Sequence, residues 1–426
     1  MKQPENGAMA SRAYVTHTNN DLQYNSITSH ILYIQTIPKM KPAEIKKAFH
    51  NAQEQHAGQY AAFWKWFAEQ QTAFYQILKQ GDSETINDNF CDPLMDQLSQ
   101  IREGCYFLAG IDNTDTAELI FTADGEIITI PFVEDLVAAA PEIPGWSFIA
   151  SKPESDPNYT TIDLQGYTFS LENQYFYAIE SPDFPDSIKI TIIHNDYSEV
   201  PAIANTIIQG VYLFLDNYLG EVRSVTVIDS VTVQSPSKAE KELIPIEKLK
   251  SYLEWREKEF IEKYEDARYN ERDDNYTSLT AQSQDGNPIM IMVNTGAMEW
   301  NHAVSHPWIL KVNIKYDGEN INGLPSSETN ILMDVIEDDL LALLPVKDGH
   351  IYLGRETYEG NRYIYWACKD FRHAAKATDF VINHYSDQLE IGQDVYRDIY
   401  RLSISAFKPE NWVENEGGED NSEKNY

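Results

Sequence analysis

The sequence predicts an α+β protein of two domains, each a mostly antiparallel sheet with helices on one face. Three observations predict it. Amphipathic stretches with apolar residues at i, i+3, i+4 and i+7 are interspersed with short β-rich runs, without the regular strand–helix alternation of a doubly wound fold. Several of those runs come in pairs around Asp-Gly or Gly-Asn turns, the local signature of hairpins. Finally, 426 residues exceed what a single core accommodates.

Taken in order, residues 1–38 show no clear period and are expected to form a loose arm. From Lys41 the pattern is helical, with Tyr60, Phe63, Trp64 and Phe67 on one stripe that Phe74 and Leu78 continue. Gly58 is expected to split this stretch into two helices, and Asp92-Pro93 opens a second, shorter one. Two apolar runs flank Asp124-Gly125 and predict a hairpin, followed by a helix, a Pro/Gly stop over 141–145 and a strand through Trp146 and Phe148. Three strand-like runs, a helix over 200–219 and a strand over 222–233 complete a first domain spanning 39–235. A charged helical linker, 236–274, leads to a second domain over 275–408. There the order is a hairpin around Asp285-Gly286, a strand from Trp308, a helix over 323–344, a hairpin turning at 359–361, a helix over 371–385 and a last strand over 396–407. A ferredoxin-like sandwich satisfies that order. The acidic segment 409–426 is expected to be disordered.

The stretch over 323–344 is the most organised in the chain and carries Glu328, Glu337, Asp338 and Asp339 on a helical frame. Ser326 or Ser327 caps it, and Glu328 lies at its positive N-terminal end. Ile331, Leu332, Val335, Ile336, Leu340 and Leu343 form the expected buried stripe. Asp334, Glu337 and Asp338 fall between its members and are expected to face water, with Asp339 at the stripe's edge. On that reading Glu337→Ala or Asp338→Ala changes stability by less than about 0.5 kcal/mol.

Charge narrows the function. The chain carries 33 Lys+Arg against 67 Asp+Glu, a formal net charge of -34, and no Lys/Arg cluster in sequence. Such a charge repels phosphate backbones and anionic lipid, so neither nucleic acid nor membrane is an expected partner. Cys91, Cys105 and Cys368 form no metal or disulfide spacing. No apolar run approaches the ~20 residues of a membrane span, and the expected location is cytoplasmic.

No P-loop, G-x-G-x-x-G, H-E-x-x-H or G-x-S-x-G pattern stands in a supporting context, and no cofactor or metal is expected. The nearest approach to ligand spacing is His302 and His306, four apart, but Pro307 ends that segment. Arg355 and Arg362 approach one another across the 359–361 turn, where two guanidinium forks can clamp an anion or pair with neighbouring carboxylates. Trp146, after a Pro/Gly turn, is either a core residue or an anchor for a partner.

The stretches "NGLPSSE" from Asn322, "DVIEDDLLALL" from Asp334 and "YLGRETYEGNRYIYW" from Tyr352 resemble a bacterial family, domain of unknown function 695, over about residues 275–408. The stretch "ELIFTADGEIITIPFVEDLVAAAPEIPGWSFIAS" resembles a segment of related uncharacterised bacterial proteins. The first resemblance implies no catalytic residue. Members of that family are sometimes joined to a domain similar to the protein regulator of ribonuclease E, which implies protein binding. The leading expectation is therefore a non-enzymatic interaction or regulatory module with another protein as partner. The alternatives are a hydrolase or transferase built on Arg355, Arg362 and nearby carboxylates, and an acidic mimic of nucleic acid.

Overall fold

A computed structural model of the chain describes residues 13–15, 40–80, 82–156, 160–319, 321–409 and 413–414. The expected arm over 1–38 and tail over 409–426 lie outside these residues, apart from residue 409 and two short backbone segments, Ala13–Val15 and Val413–Glu414, that extend one edge of the largest sheet. The fold is α+β.

Helix α1 (Pro42–Gln80) is a single helix of 39 residues, not two. A glycine in a helix interior costs only about 1 kcal/mol relative to alanine. Gly58 is outweighed by the stripe around it, in which Tyr60, Phe63, Trp64, Phe67 and Phe74 are all buried. Helix α2 (Asp92–Ile101) follows, then strands β1 (Tyr106–Ile111) and β2 (Ala117–Thr122), helix α3 (Ile130–Ala138) and strand β3 (Trp146–Ala150). The Trp64 indole N–H donates to the Leu136 carbonyl at 2.7 Å and fixes α1 against α3.

The hairpin expected at Asp124-Gly125 does not form. Pro131 stands in the first turn of α3, where its missing N–H leaves no helical bond unmade, so the second apolar run begins a helix. Instead β2 pairs antiparallel with β1 and parallel with β3, which it reaches through α3 as a βαβ crossover.

The next unit carries strands β4 (Gln174–Ile179) and β5 (Lys189–His194), helices α4 (Pro201–Leu219) and α5 (Glu221–Thr226), and strand β6 (Ser230–Gln234). Again the pairings are mixed: β4–β5 is antiparallel, as is the short strand Ile244–Pro245 on the other side of β4, and β5–β6 is parallel. Among the described residues the first half thus contains two mixed sheets, beside the antiparallel pair Ile162–Leu164 and Tyr167–Phe169, where the sequence suggested antiparallel ones. The strand expected from 222 starts only at Ser230. Gly220, at φ 83°, turns the chain into α5 so that Glu221 enters the interior. The Glu221 carboxylate is fully buried and accepts four hydrogen bonds, from Thr122 Oγ1 and from the amides of Ala123, Gly125 and Lys152, at 2.7 to 3.1 Å. The Asp124-Gly125 turn therefore closes around a carboxylate rather than joining two strands. Helix α6 (Leu249–Tyr264), inside the expected linker, buries Leu249 and Leu253 in this unit's core.

The last part contains strands β7 (Tyr276–Gln282), β8 (Pro288–Asn294) and β9 (Trp308–Lys315), helix α7 (Ser327–Leu343), strands β10 (His350–Tyr358) and β11 (Asn361–Cys368), helix α8 (Phe371–Tyr385) and strand β12 (Glu390–Arg397). These six strands form an antiparallel sheet in the order β12-β9-β11-β10-β8-β7. Strands β9 and β10 are separated by β11, and β11 and β12 by β9, so the two helical connections interleave as split βαβ units. The hairpin β7–β8 is an addition at one edge. The last strand lies earlier than expected. Arg401 adopts φ 57°, a left-handed conformation that interrupts the alternating run after Arg397, and Ile404 and Phe407 instead cover the face opposite α7 and α8.

The helical face is not free. Its apolar core continues into the first part of the chain, joining Phe49, Trp64, Phe67 and Leu136 with Ile336, Leu340, Trp366 and Ala374. Ion pairs Arg102–Asp379 (2.7 Å), Arg372–Glu134 (2.7 Å) and Lys376–Asp135 (2.8 Å) line the rim of that junction.

Candidate functional site

The start of α7 is seated by the turn before it. Gly323, at φ 78°, lies so close to the β10–β11 turn that a Cβ there would come within 2.9 Å of the Glu359 backbone. Its carbonyl accepts hydrogen bonds from the Gly360 amide (3.0 Å) and the Tyr316 hydroxyl (2.7 Å). Ser326 caps the helix, its Oγ accepting from the Thr329 amide at 3.1 Å. Asn330, Asp334 and Glu337, spaced i, i+4 and i+7, then form a polar row facing the hairpin.

On the sheet, one extra residue in β10 determines what meets that row. A bulge lies between Tyr352 and Gly354, with Tyr352 opposite Trp366 and Arg355 opposite Ile364. Trp366 and Ile364 are two apart on β11 and point the same way, so Tyr352 and Arg355 both face α7 although they are three apart in sequence. Gly354 takes φ 141° to make this possible, and a Cβ there would meet the Met292 carbonyl at 2.2 Å.

The result is a buried ion network. Arg355 Nη1 donates to Glu337 Oε2 and, at 2.9 Å, to Asp334 Oδ1. Arg362, 2% exposed, donates from Nη1 to Asp334 Oδ1 (2.7 Å), from Nη2 to Asn330 Oδ1 (2.6 Å) and from Nε to Thr357 Oγ1 (3.1 Å). The Tyr352 hydroxyl donates to Glu337 Oε1 at 2.5 Å. Burial, and then the neighbouring charge of Arg355, lower the pKa of Arg362. Burial also acts against charge on Arg355, but Glu337, Tyr352 and Asp334 together more than offset it and the pKa there is raised. Two arginines and two carboxylates thus neutralise each other.

Two expectations for α7 are corrected here. Glu337 does not face water: its side chain is 6% exposed, because the bulge delivers a cation and a phenol to its position. Ile331 is not in the buried stripe but is 42% exposed, since α7 turns that face toward the added hairpin rather than the core. Asp339, at the stripe's edge, is buried and accepts from the Tyr385 hydroxyl at 2.6 Å.

Beside the network the β7–β8 hairpin carries the sheet past α7 and leaves a groove of about 540 Å³. Its walls are Met290 and Met292 from β8 and Leu324 and Ile331 from the α7 side, with Arg355 and Arg362 on its floor. Met290 is 45% exposed. All the donors of Arg362 named above are engaged, whereas Arg355 uses only Nη1 among the described residues.

The other singled-out residues lie elsewhere. Trp146 is buried, edge-to-face with Phe67 at 4.9 Å, in the core around α1. His302 is exposed and precedes a short 3-10 turn, while His306 is buried with Nδ1 2.9 Å from Ser305 Oγ. The Ser305 hydroxyl already donates to the His302 carbonyl at 2.7 Å, so the ring is the donor in the bond to Ser305. No group of three or more His, Cys, Asp or Glu among the described residues is placed to hold a metal ion. Likewise, no helix among them is long and apolar enough to cross a membrane.

Burial first, and then Arg401, push the pKa of His306 down to about 3, and burial with His373 pushes that of His350 to about 4. Both histidines are 2% exposed. Between the unfolded value of about 6.5 and these folded values the unfolded chain binds more protons, so stability falls as the pH is lowered through that window. Urea unfolding at pH 5 should show a loss of about 2 kcal/mol per histidine relative to pH 7.5. His350→Gln should flatten that slope.

Residues 277–402 match the model of a family of unknown function, DUF695. The DUF695 segment starts at the second residue of β7 and contains every residue of the ion network and the groove. No curated protein and no solved structure is found to match the chain. Within the DUF695 segment, sequence reasoning identified Arg355 and Arg362 and missed Asn330, Asp334, Glu337 and Tyr352 as their partners. The i, i+4, i+7 spacing of the first three, facing a hairpin with two arginines, is the signal that identifies them.

Proposed function

We propose that the chain is a cytoplasmic, non-enzymatic protein-binding module, and that the groove between α7 and the β7–β8 hairpin holds an apolar segment of a partner protein. One observation carries this reading: the two arginines are neutralised by their own helix, while the wall beside them is apolar and open. Arginines that held a reacting phosphoryl or carboxylate group would be expected to present free forks. Here only one edge of Arg355 remains, enough to donate to a carbonyl or carboxylate of a bound segment. Met290 and Met292 supply side chains that adapt to different apolar partners. The interleaved βαββαβ order supports reading the DUF695 segment as a ferredoxin-like sandwich with the hairpin added. The kinship of the first half with segments of uncharacterised bacterial proteins belongs to the same proposal and rests on sequence pattern alone.

A photo-crosslinking side chain at position 331 tests it in native lysate. The expected result is a discrete crosslinked partner that disappears in the Met290→Glu variant, whose unfolding midpoint stays at the parental value. Equal crosslinking with and without Met290→Glu would overturn the groove as the binding site. Turnover of a phosphate or carboxylate ester, abolished by Arg355→Lys, would overturn the non-enzymatic reading.

A further inference from the structure

A second cavity lies at the opposite end of the same sheet. Strands β9 and β10 begin there and β11 and β12 end there, as the pairings Trp308–Cys368, His350–Cys368 and Trp308–Arg397 show. The cavity holds about 280 Å³, the lower end of small-molecule sites. Arg268, His306, Lys347 and Lys369 line it, with Asp348 as its single acidic residue.

The charge of this lining runs against that of the chain. In a protein of net charge -34, cations are expected to be paired, and many are. Yet Arg268, Lys347 and Lys369 have no acidic partner among the described residues. Arg268 Nη1 and Lys369 Nζ are instead held by backbone carbonyls, Arg268 by Glu265 (2.7 Å) and Ala267 (2.8 Å), and Lys369 by Ala267 (2.9 Å). These bonds orient both heads without neutralising them. Behind the lining stands a fourth cation. Arg401 is 1% exposed and donates from Nη1 to the Ala297 carbonyl at 2.6 Å, while its Nε and Nη2 have no hydrogen-bond partner among the described residues. Burial and the adjacent Arg268 lower the pKa of Lys369, and Arg401, Lys369 and Arg268 all act on the His306 ring, so the positive charges converge on one volume. Like charges at such spacing repel unless an anion sits among them.

We propose that this cavity is a binding site for a small phosphate monoester, with Arg268, Lys347 and Lys369 around the phosphate group. A phosphate monoester carries close to two negative charges and three acceptor oxygens at pH 7. That matches three convergent cations facing one carboxylate better than a monocarboxylate does. The neutral His306 ring, which keeps its proton on Nδ1, adds a polar wall without a further charge. The cavity is too small to enclose a nucleotide, so the organic part is a few atoms long or remains outside.

Titration calorimetry on the full chain, at matched ionic strength, tests the assignment with glycerol 3-phosphate, inorganic phosphate, sulfate and acetate as probes. Saturable binding of glycerol 3-phosphate, at least about tenfold tighter than acetate, is expected. Comparable affinity for inorganic phosphate would place the recognition in the phosphate group alone, and tighter binding of the ester would extend it to the organic part. Lys369→Met should weaken binding by about tenfold or more. Arg268→Gln and Lys347→Gln, both at exposed positions, should do so without any change in folding. Lys315→Met, at the other end of β9, should leave it unchanged. Absence of saturable phosphate binding, or affinity unaltered in the Arg268→Gln/Lys347→Gln double variant, would overturn the proposal. Neither outcome bears on the groove beside α7.

Discussion

Replacing Glu337 by alanine should destabilise the chain by about 3–5 kcal/mol, as breaking one side of a buried ion pair does. The side chain is 6% exposed and meets Arg355, with Arg362 Nη1 at 3.9 Å and the Tyr352 hydroxyl bonded to its other oxygen. Without it, two guanidinium groups share Asp334, whose side chain is 43% exposed, and a buried phenol loses its acceptor. The cost arises from what is left behind, not from the strength of the pair. Removing both charges in Arg355→Met/Glu337→Leu should therefore recover most of the loss. Urea unfolding of the two variants beside the parent separates these cases. A loss below about 1 kcal/mol for Glu337→Ala would mean that solvent screens the pair.

Glu221→Ala should be comparably damaging, at about 4 kcal/mol. Its two oxygens each accept two hydrogen bonds, Oε1 from the amides of Ala123 and Gly125 and Oε2 from Thr122 Oγ1 and the Lys152 amide. Each buried donor left without an acceptor costs about 1–3 kcal/mol, and the total is held below the sum by water that enters the vacated space. Glutamine is no remedy, because its NH2 group would face two donors. Amide hydrogen exchange is the direct readout: Ala123, Gly125 and Lys152 should lose protection in Glu221→Ala, with the thermal midpoint lowered. Unchanged protection at those amides would show that the turn over 122–125 holds without the carboxylate.

These two residues also show where the sequence was legible. Periodicity located α1, α4, α7 and α8, and the turns Asp285-Gly286 and Glu359–Asn361 located two hairpins, because each signal depends on residues a few positions apart. The errors came where a distant group intervened. Asp124-Gly125 looks like a hairpin turn until Glu221, 96 residues from Gly125, enters it. Glu337 looks solvent-facing on a helical wheel because the wheel cannot see a bulge on another strand. Likewise Arg355 and Arg362 were visible as a pair, but their neutralisation by α7 was not, since nothing local ties residue 334 to residue 362. The parallel pairings of the first half were hidden for the same reason.

The core shared between α1 and the helical face of the last sheet has a consequence for synthesis. Phe49 on α1 leaves the ribosome early, yet Phe380 of α8, whose ring packs against it at 5.5 Å, is made some 330 residues later. The rim pairs Arg102–Asp379 and Arg372–Glu134 span 277 and 238 residues. Contacts of that separation close loops slowly. At roughly 5–20 residues per second the nascent chain exposes the Phe49 end of α1 for about fifteen seconds or longer before its cover exists. Folding in the cell is therefore a problem of order as well as of stability, and a chaperone that holds the first hundred residues should raise the yield of native protein more than any single stabilising substitution.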